Sequence, residues 1–168
     1  TANAMAFTLS LLATHPEEQA KVVAGLDAGD TGPLDRAFNE GLRLYPPAWV
    51  LARAVRDPLD LGPVTVQPGT FLFVPVAAMQ RDPRWWKDPD AFLPDRHLSL
   101  GPEQKAALIP FGIGPRKCIG EHFARAEARI TLATVLRAFR VSADRVPEAQ
   151  ATVTLRPLGG APVRLERR

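Results

Sequence analysis

The chain has 168 residues, enough for one domain with a hydrophobic core, and 46% of its residues are hydrophobic. The 21 lysines and arginines barely exceed the 18 acids and form no run or basic–aromatic stripe, so no nucleic-acid partner is expected. One cysteine excludes an internal disulfide and favours a reducing, cytoplasmic location. No stretch reaches the ~18 apolar residues of a membrane span, and we expect no signal peptide.

The first part of the chain is predicted to form three helices. Residues 2–14 are apolar around the whole helical circumference, which indicates a buried helix that needs partners on every side. A second helix is expected from Pro16 to about Leu26, because proline and two acids suit its first turn. A third helix is expected from about Pro33 to Leu44, where two consecutive prolines stop it.

The middle of the chain carries most of the 17 prolines and is predicted to form strands, turns and loops. Strand-like pieces cover residues 49–55, 64–66 and 70–74. The Gln-Pro-Gly sequence at 67–69 predicts a hairpin between the last two pieces. From residue 80 to residue 110 little of the sequence is periodic.

The C-terminal part is predicted to hold one long helix and a hairpin. An amphipathic pattern extends from Ile119 to about Phe139. Residues 152–156 and 163–166 indicate two strands around the Leu158-Gly159-Gly160 turn. The predicted fold class is therefore mainly α with small β-sheets.

The chain's only cysteine, Cys118, lies in the glycine-rich segment 111–120, with the sequence FGIGPRKCIG. Glycines permit tight turns and close approach of a flat ligand. The predicted helix start would favour an anion at Cys118, which suits a thiolate ligand for a metal. Zinc needs three or four protein ligands, and three scattered histidines do not supply them. The nearby Arg116 suits a carboxylate of the bound group, and an inert buried cysteine is the alternative.

This segment resembles the heme-binding signature of the cytochrome P450 family, Phe-x-x-Gly-x-Arg-x-Cys-x-Gly, and matches it at every fixed position. The resemblance implies heme b, with Cys118 as the axial thiolate ligand of the iron. It also implies propionate contacts from Arg116 and from Arg53, for which Arg56 is the competitor. The implied cofactor-binding residues are Cys118, Phe111, Gly112, Arg116, Gly120 and Arg53.

A Glu-x-x-Arg pair lies upstream of this segment. Glu40 and Arg43 are three residues apart on the third helix, so they share a face. The pair is similar to the family's Glu-x-x-Arg motif, which implies a structural network with Arg96. The sequence around Arg96 has Asp95 and His97 where the family usually has a glutamate and an aromatic residue. We expect His97 to be a packing or hydrogen-bonding group, with no contact to iron.

The first helix resembles the end of the family's long central helix. The acid–threonine pair of that helix would then precede Thr1, so no catalytic residue is expected within this chain. Residues 1–168 would form a single partial domain, the C-terminal, heme-ligating half of the P450 fold, which implies the missing N-terminal part as a partner. The resemblance also implies a set of substrate-facing residues: Trp49, Val50, Leu51 and Leu158.

The implied activity is insertion of one atom of dioxygen into a small apolar substrate, with electrons from a ferredoxin- or flavodoxin-type donor. A basic face of Lys117, Arg125 and Arg129, next to Arg116, suits an acidic donor, and a solvated helix surface is the equal alternative. The segment around Tyr45–Trp49 is similar to bacterial carotenoid-hydroxylating members. A peroxide-using heme-thiolate peroxygenase and an inactive, truncated heme-binding fragment are the other interpretations.

Overall fold

The computed structural model describes residues 1–168 and shows six helices with four small antiparallel sheets. The helices are α1 (Ala2–Thr14), α2 (Pro16–Asp27), α3 (Gly32–Leu44), α4 (Val76–Met79), α5 (Pro102–Ala107) and α6 (Glu121–Ala138). Two 3₁₀ turns lie at Pro94–Leu98 and Gly114–Arg116. The strands are β1 (Leu51–Ala54), β2 (Leu59–Asp60), β3 (Thr65–Val66), β4 (Phe71–Val74), β5 (Phe139–Ser142), β6 (Ala149–Ala151), β7 (Leu155–Pro157) and β8 (Arg164–Arg167). No helix combines the length and the hydropathy needed to cross a membrane.

The predicted class, mainly α with small sheets, is confirmed, and so are the four main helices. Pro16 occupies the first turn of α2 with two acids beside it, as the pattern predicts. Helix α6 starts at Glu121, two residues later than expected. The third helix ends at Leu44, before the two prolines.

The core forms where α1 packs against α2, α3 and α6. Leu12 on α1 is fully buried in one cluster with Leu34 on α3 and Leu136 on α6. Phe7, also fully buried on α1, stacks on the ring of Tyr45 with the centroids 4.2 Å apart. Each such side chain contributes roughly 1.5–3 kcal/mol when removed from water. From Asn3 to Thr14 the circumference of α1 is buried or half-buried within this chain, as the apolar pattern predicts.

The predicted hairpin between residues 64–66 and 70–74 is wrong. Strand β3 pairs with β2, in the register Leu59↔Val66, while β4 pairs with β1 in the register Leu51↔Val74. In the sequence, the β2–β3 hairpin therefore lies between β1 and β4, which pair directly with each other. Gly69, in a left-handed conformation (φ +86°), donates its N–H to Val55 O at 2.9 Å and steers the chain beside β1.

The predicted terminal hairpin is also wrong. Strands β6 and β7 pair with each other, and β8 returns to β5, the strand that directly follows α6. The two glycines after Leu158 have positive φ and separate β7 from β8. Alternation along a strand indicates which face is buried but carries no information about the partner strand.

The proline-rich segment between residues 80 and 110 is mostly irregular, as expected, with only short helical pieces. The side chain of Gln80, at the start of this segment, connects the segment to α3 and to Ile109 near its end. Its buried side-chain amide donates to the carbonyl oxygens of Leu42 and Arg43 at 3.0 Å, and its Oε1 accepts the N–H of Ile109 at 3.0 Å. These bonds tie the C-terminus of α3 to the residues that enter the cysteine loop.

Candidate functional site

The loop before α6 is closed by its own backbone. The N–H of Cys118 donates to Phe111 O at 2.9 Å, and the N–H of Lys117 donates to Gly114 O at 3.0 Å. Gly112 and Gly114 adopt φ of +75° and +72°, values that residues with a side chain rarely take. The two glycines therefore allow the tight turn that brings both ends of the loop together.

Cys118 is a free cysteine, exposed on the inner side of this loop. Gly120 is the residue before α6, and a Cβ added to it would lie 3.8 Å from the Cys118 sulfur. Cys118 thus stands in the turn that leads into the helix, near its positive end but outside its first turn. The thiol is left accessible to a ligand.

An open cavity of about 490 Å³ lies in front of Cys118. Its walls come from distant parts of the chain, including Ala4 of α1, Leu42 of α3, Leu51 of β1 and Phe123 of α6. Most of the wall is apolar. Phe123, a large apolar side chain of this wall, is exposed. A large apolar ligand that is bound through the sulfur would cover this surface.

Arg116 lies on the wall of the same cavity, is exposed and can reach a carboxylate at the cavity edge. Arg53 lies two residues after Leu51 on β1, so the two side chains leave the strand on the same face. Its guanidinium is exposed and donates to Ala52 O at 2.8 Å. Arg53 is not part of the cavity wall. The cavity therefore combines one thiol, apolar walls and the cation of Arg116, which together fit a flat apolar macrocycle with carboxylate arms.

The four residues expected to face substrate are not brought together. Leu51 lines the cavity, whereas Trp49 donates its indole N–H to Thr152 O at 2.9 Å, and Val50 is half-buried outside the cavity wall. Leu158 borders a separate cavity of about 410 Å³, and its N–H donates to Glu148 O at 2.8 Å.

The C-terminal segment instead contributes Thr154 to the cavity wall, from the turn between β6 and β7. Sequence reasoning missed Thr154, because it placed a strand over this turn. It also missed Phe123, whose exposed side chain follows Cys118 by five residues on α6. An apolar residue on the exposed face of an amphipathic helix is the signal that identifies it.

A buried charge network lies behind the loop. Arg43 donates from Nε and Nη2 to the two carboxylate oxygens of Glu40, at 2.9 and 2.8 Å, and neither side chain is exposed. The Nε of Arg96 donates to Glu40 Oε1 at 2.9 Å, as does the N–H of Leu93 at 3.1 Å. Arg43 also donates to three backbone carbonyl oxygens, those of Gln80, Pro89 and Ala91.

His97 is the fourth side chain of this network. Its Nε2 lies 2.9 Å from Glu40 Oε2, and the histidine donates because a carboxylate only accepts. This buried contact gives His97 the hydrogen-bonding role expected from the sequence. Trp86, which the sequence did not single out, is fully buried with the Arg43 guanidinium 5.0 Å from its ring centroid.

The network holds Glu40 in its ionised form. Burial alone would raise the pKa of this carboxyl, but the hydrogen bonds from Arg43 and His97 outweigh burial and lower the pKa from 4.5 to about 2. A charge held in this way fixes one arrangement of α3 and the irregular segment. The network lies outside the cavity wall, so its role is to support the site.

A thiol in a glycine loop, opening onto an apolar cavity with a cation at its edge, places the chain in the class of heme-thiolate proteins. The family model described as Cytochrome P450 matches residues 32–160. The chain belongs to the cytochrome P450 family. Members of this family bind heme b, and the cavity residues fit that cofactor.

Individual relatives agree with the family model. The chain is 35% identical to pentalenene oxygenase of Streptomyces avermitilis over 90% of its length, and 34% identical to Cytochrome P450 3A13 of Mus musculus over 84%. A crystal structure of CYP175A1 from Thermus thermophilus is 37% identical and superposes with a TM-score of 0.86 over 98% of this chain. The chain covers 38%, 31% and 41% of these proteins, respectively, so it spans about a third of the curated relatives it matches.

Proposed function

We propose that the protein containing residues 1–168 is a heme-thiolate monooxygenase, which inserts one atom of dioxygen into a small apolar organic substrate. The observation that carries this proposal is the exposed Cys118 thiol at the base of the apolar cavity. The heme, when bound, supplies the redox centre, and electron donation from a thiolate ligand promotes O–O cleavage. A relative named as an oxygenase supports the same type of reaction.

The chain's own residues bind and orient the cofactor. Cys118 would hold the heme iron through its sulfur, and the closed loop would keep that sulfur in place. Phe111 lies on the cavity wall beside the loop and excludes water from the sulfur side. Arg116, on the cavity wall, would bind a propionate of the heme. Arg53 would bind the other, a role supported by its position on the same face of β1 as Leu51, which lines the cavity. Glycine at positions 112 and 120 keeps space free beside the loop.

The substrate-facing part of this chain is small. Leu51 is the substrate-facing residue that the structure supports best, because it lines the cavity from β1. Its neighbours Trp49 and Val50 support the strand from outside the cavity wall. We propose an apolar substrate because the described walls offer few polar groups that could orient a polar one.

We further propose a ferredoxin- or flavodoxin-type electron donor. The surface near Cys118 and α6 supports this choice, because it carries four cations and two acids. The cations are Arg116, Lys117, Arg125 and Arg129, and the acids are Glu121 and Asp35. Three of these cations are paired with the acids, so the attraction for an acidic donor is modest. Such charges at the edge of an interface act mainly on the association rate and its salt dependence.

We propose residues 1–168 as the C-terminal, heme-ligating part of one larger domain. Exposed aromatic side chains outside the cavity wall, such as Phe71 and Phe73 on β4, support this view, since a partner segment would bury them. The lone free cysteine supports a cytoplasmic location.

The test is the spectrum of the reduced, carbon-monoxide-bound heme protein. We expect Cys118→Ser to lose the red-shifted band of a thiolate-ligated heme, while His122→Ala, the matched control on α6, keeps it. A Cys118→Ser protein that retains the band would refute the proposal. Product formed with peroxide alone, and none with an electron donor, would instead support the peroxygenase alternative.

A further inference from the structure

Arg125 on α6 is held in one position by three different contacts. Its guanidinium carbon lies 5.0 Å from the ring centroid of Phe111, its Nε donates to Glu121 Oε1 at 2.9 Å, and its Nη1 donates to Asn39 Oδ1 at 2.6 Å. Asn39 lies on α3 and Glu121 on α6, so Arg125 connects two helices and a loop. A planar guanidinium can make both hydrogen bonds while it stacks on the ring.

Phe111 separates two cavities. One is the apolar cavity in front of Cys118, and the other, of about 220 Å³, is lined by Asn39, Glu121 and Arg125. Phe111 lines both. Arg125 therefore supports the phenylalanine from the side opposite the proposed heme.

The backbone of Phe111 is part of the contact that closes the loop. Its carbonyl oxygen accepts the N–H of Cys118 at 2.9 Å. Any loosening of Phe111 would weaken this bond and free the residue that carries the sulfur. A side chain that fixes Phe111 consequently also fixes Cys118.

We propose that Arg125 is a positioning residue for the heme-thiolate site, which clamps Phe111 and thereby keeps the Phe111–Cys118 hydrogen bond closed. This inference rests on the proposed function for its significance, but the clamp can be measured independently of it. The matched control is Arg129, one turn further along α6, which pairs with Asp35 through two N–H groups at 2.9 Å and stacks on no ring.

The experiment measures hydrogen exchange of the Cys118 amide in the full protein, before and after heme is added, in wild type and in six variants. We expect exchange about tenfold faster in Arg125→Gln, corresponding to about 1.4 kcal/mol of local opening. Arg129→Gln should leave it unchanged. Arg125→Lys should also exchange fast, because an ammonium group lacks the planar surface. Asn39→Ala should accelerate exchange less, because it removes one of the three contacts.

The decisive comparison uses Phe111→Leu. If Arg125 acts through the ring, Arg125→Gln adds little further acceleration in the Phe111→Leu background. Equal acceleration in both backgrounds, or full protection in Arg125→Lys, would overturn the clamp. Should Arg125→Gln fail to fold, unchanged exchange in Asn39→Ala would overturn it as well. Absence of a thiolate-type spectrum in the wild type would refute the proposed function and leave the exchange comparison intact.

Discussion

Replacing Glu40 by alanine tests whether the buried network holds the site together. The substitution removes the only acid bonded to Arg43, whose side chain has no exposure to water. The arginine keeps its three backbone carbonyl partners, but its charge is left without a counter-ion in the interior. Arg96 and His97 lose the same acceptor. We therefore expect a large loss of stability.

The magnitude follows from two independent estimates. Breaking a buried ion pair by removing one partner costs roughly 3–5 kcal/mol. The pKa of Glu40 falls from 4.5 to about 2 in the folded protein, which at about 1.4 kcal/mol per pKa unit means that folding favours the carboxylate by about 3 kcal/mol. A loss of this size is a large share of the 5–15 kcal/mol that typically stabilises a domain.

The pH dependence has a definite sign. Because the folded pKa of Glu40 is depressed, its contribution is complete above pH 4.5 and is lost as the pH falls towards about 2. The stability difference between the wild type and Glu40→Gln should therefore shrink over this interval. Denaturant unfolding at several pH values measures it.

The matched control is Asp95→Ala, which lies in the same irregular segment. Asp95 bonds Lys21 and Arg36, but it is 47% exposed, so its loss should cost less than about 1 kcal/mol. We expect the Glu40→Ala protein to be misfolded or heme-free, and the Asp95→Ala protein to retain its heme. If the two variants unfold at the same denaturant concentration and bind equal amounts of heme, the network contributes no more to stability than a solvent-exposed salt bridge.

Three further substitutions or conditions give clear expectations. Gly41→Ala should destabilise the folded protein by roughly 1–3 kcal/mol, because the added Cβ meets the buried Thr8 side chain. The additional substitution Thr8→Ala should restore the melting temperature, and no restoration would contradict this reason. Gln80→Leu should lower the free energy of unfolding by roughly 1–3 kcal/mol for each of its buried backbone partners left unpaired, and it should lower the heme content. Stability equal to that of the wild type would show that water replaces the amide. The 168-residue chain alone should give no coupled turnover when supplied with heme, donor and apolar substrates, because the described walls leave the cavity open; sustained product per electron consumed would disprove it.

Sequence patterns predicted the helices well because helical signals are local. Periodicity, prolines and acidic first turns gave the ends of α1, α2 and α3 within about two residues. The positions around Cys118 were equally visible, since a tight loop that presents a thiol requires glycines at fixed spacing. The spacing of Glu40 and Arg43 predicted only that they share a helical face, and their buried network with Arg96 was predicted from the resemblance to the family's Glu-x-x-Arg motif.

Both predicted hairpins were wrong. The alternating segments at 64–66 and 70–74 are adjacent in sequence, yet each pairs with a different strand. Loop closure favours close partners only weakly, and long-range packing decides between them. At the C-terminus, the pairing of β6 with β7 places Thr154 in the turn between them and Leu158 directly after β7.

The sequence by itself determined the chemistry of this protein: one thiol, the glycines that present it, and the charges behind it. Only the tertiary structure decided what surrounds that chemistry. It placed His97 on Glu40, Gln80 between α3 and the loop, and Arg125 on Phe111. These contacts join residues far apart in the chain, and no local pattern encodes them, because they arise only when the helices pack.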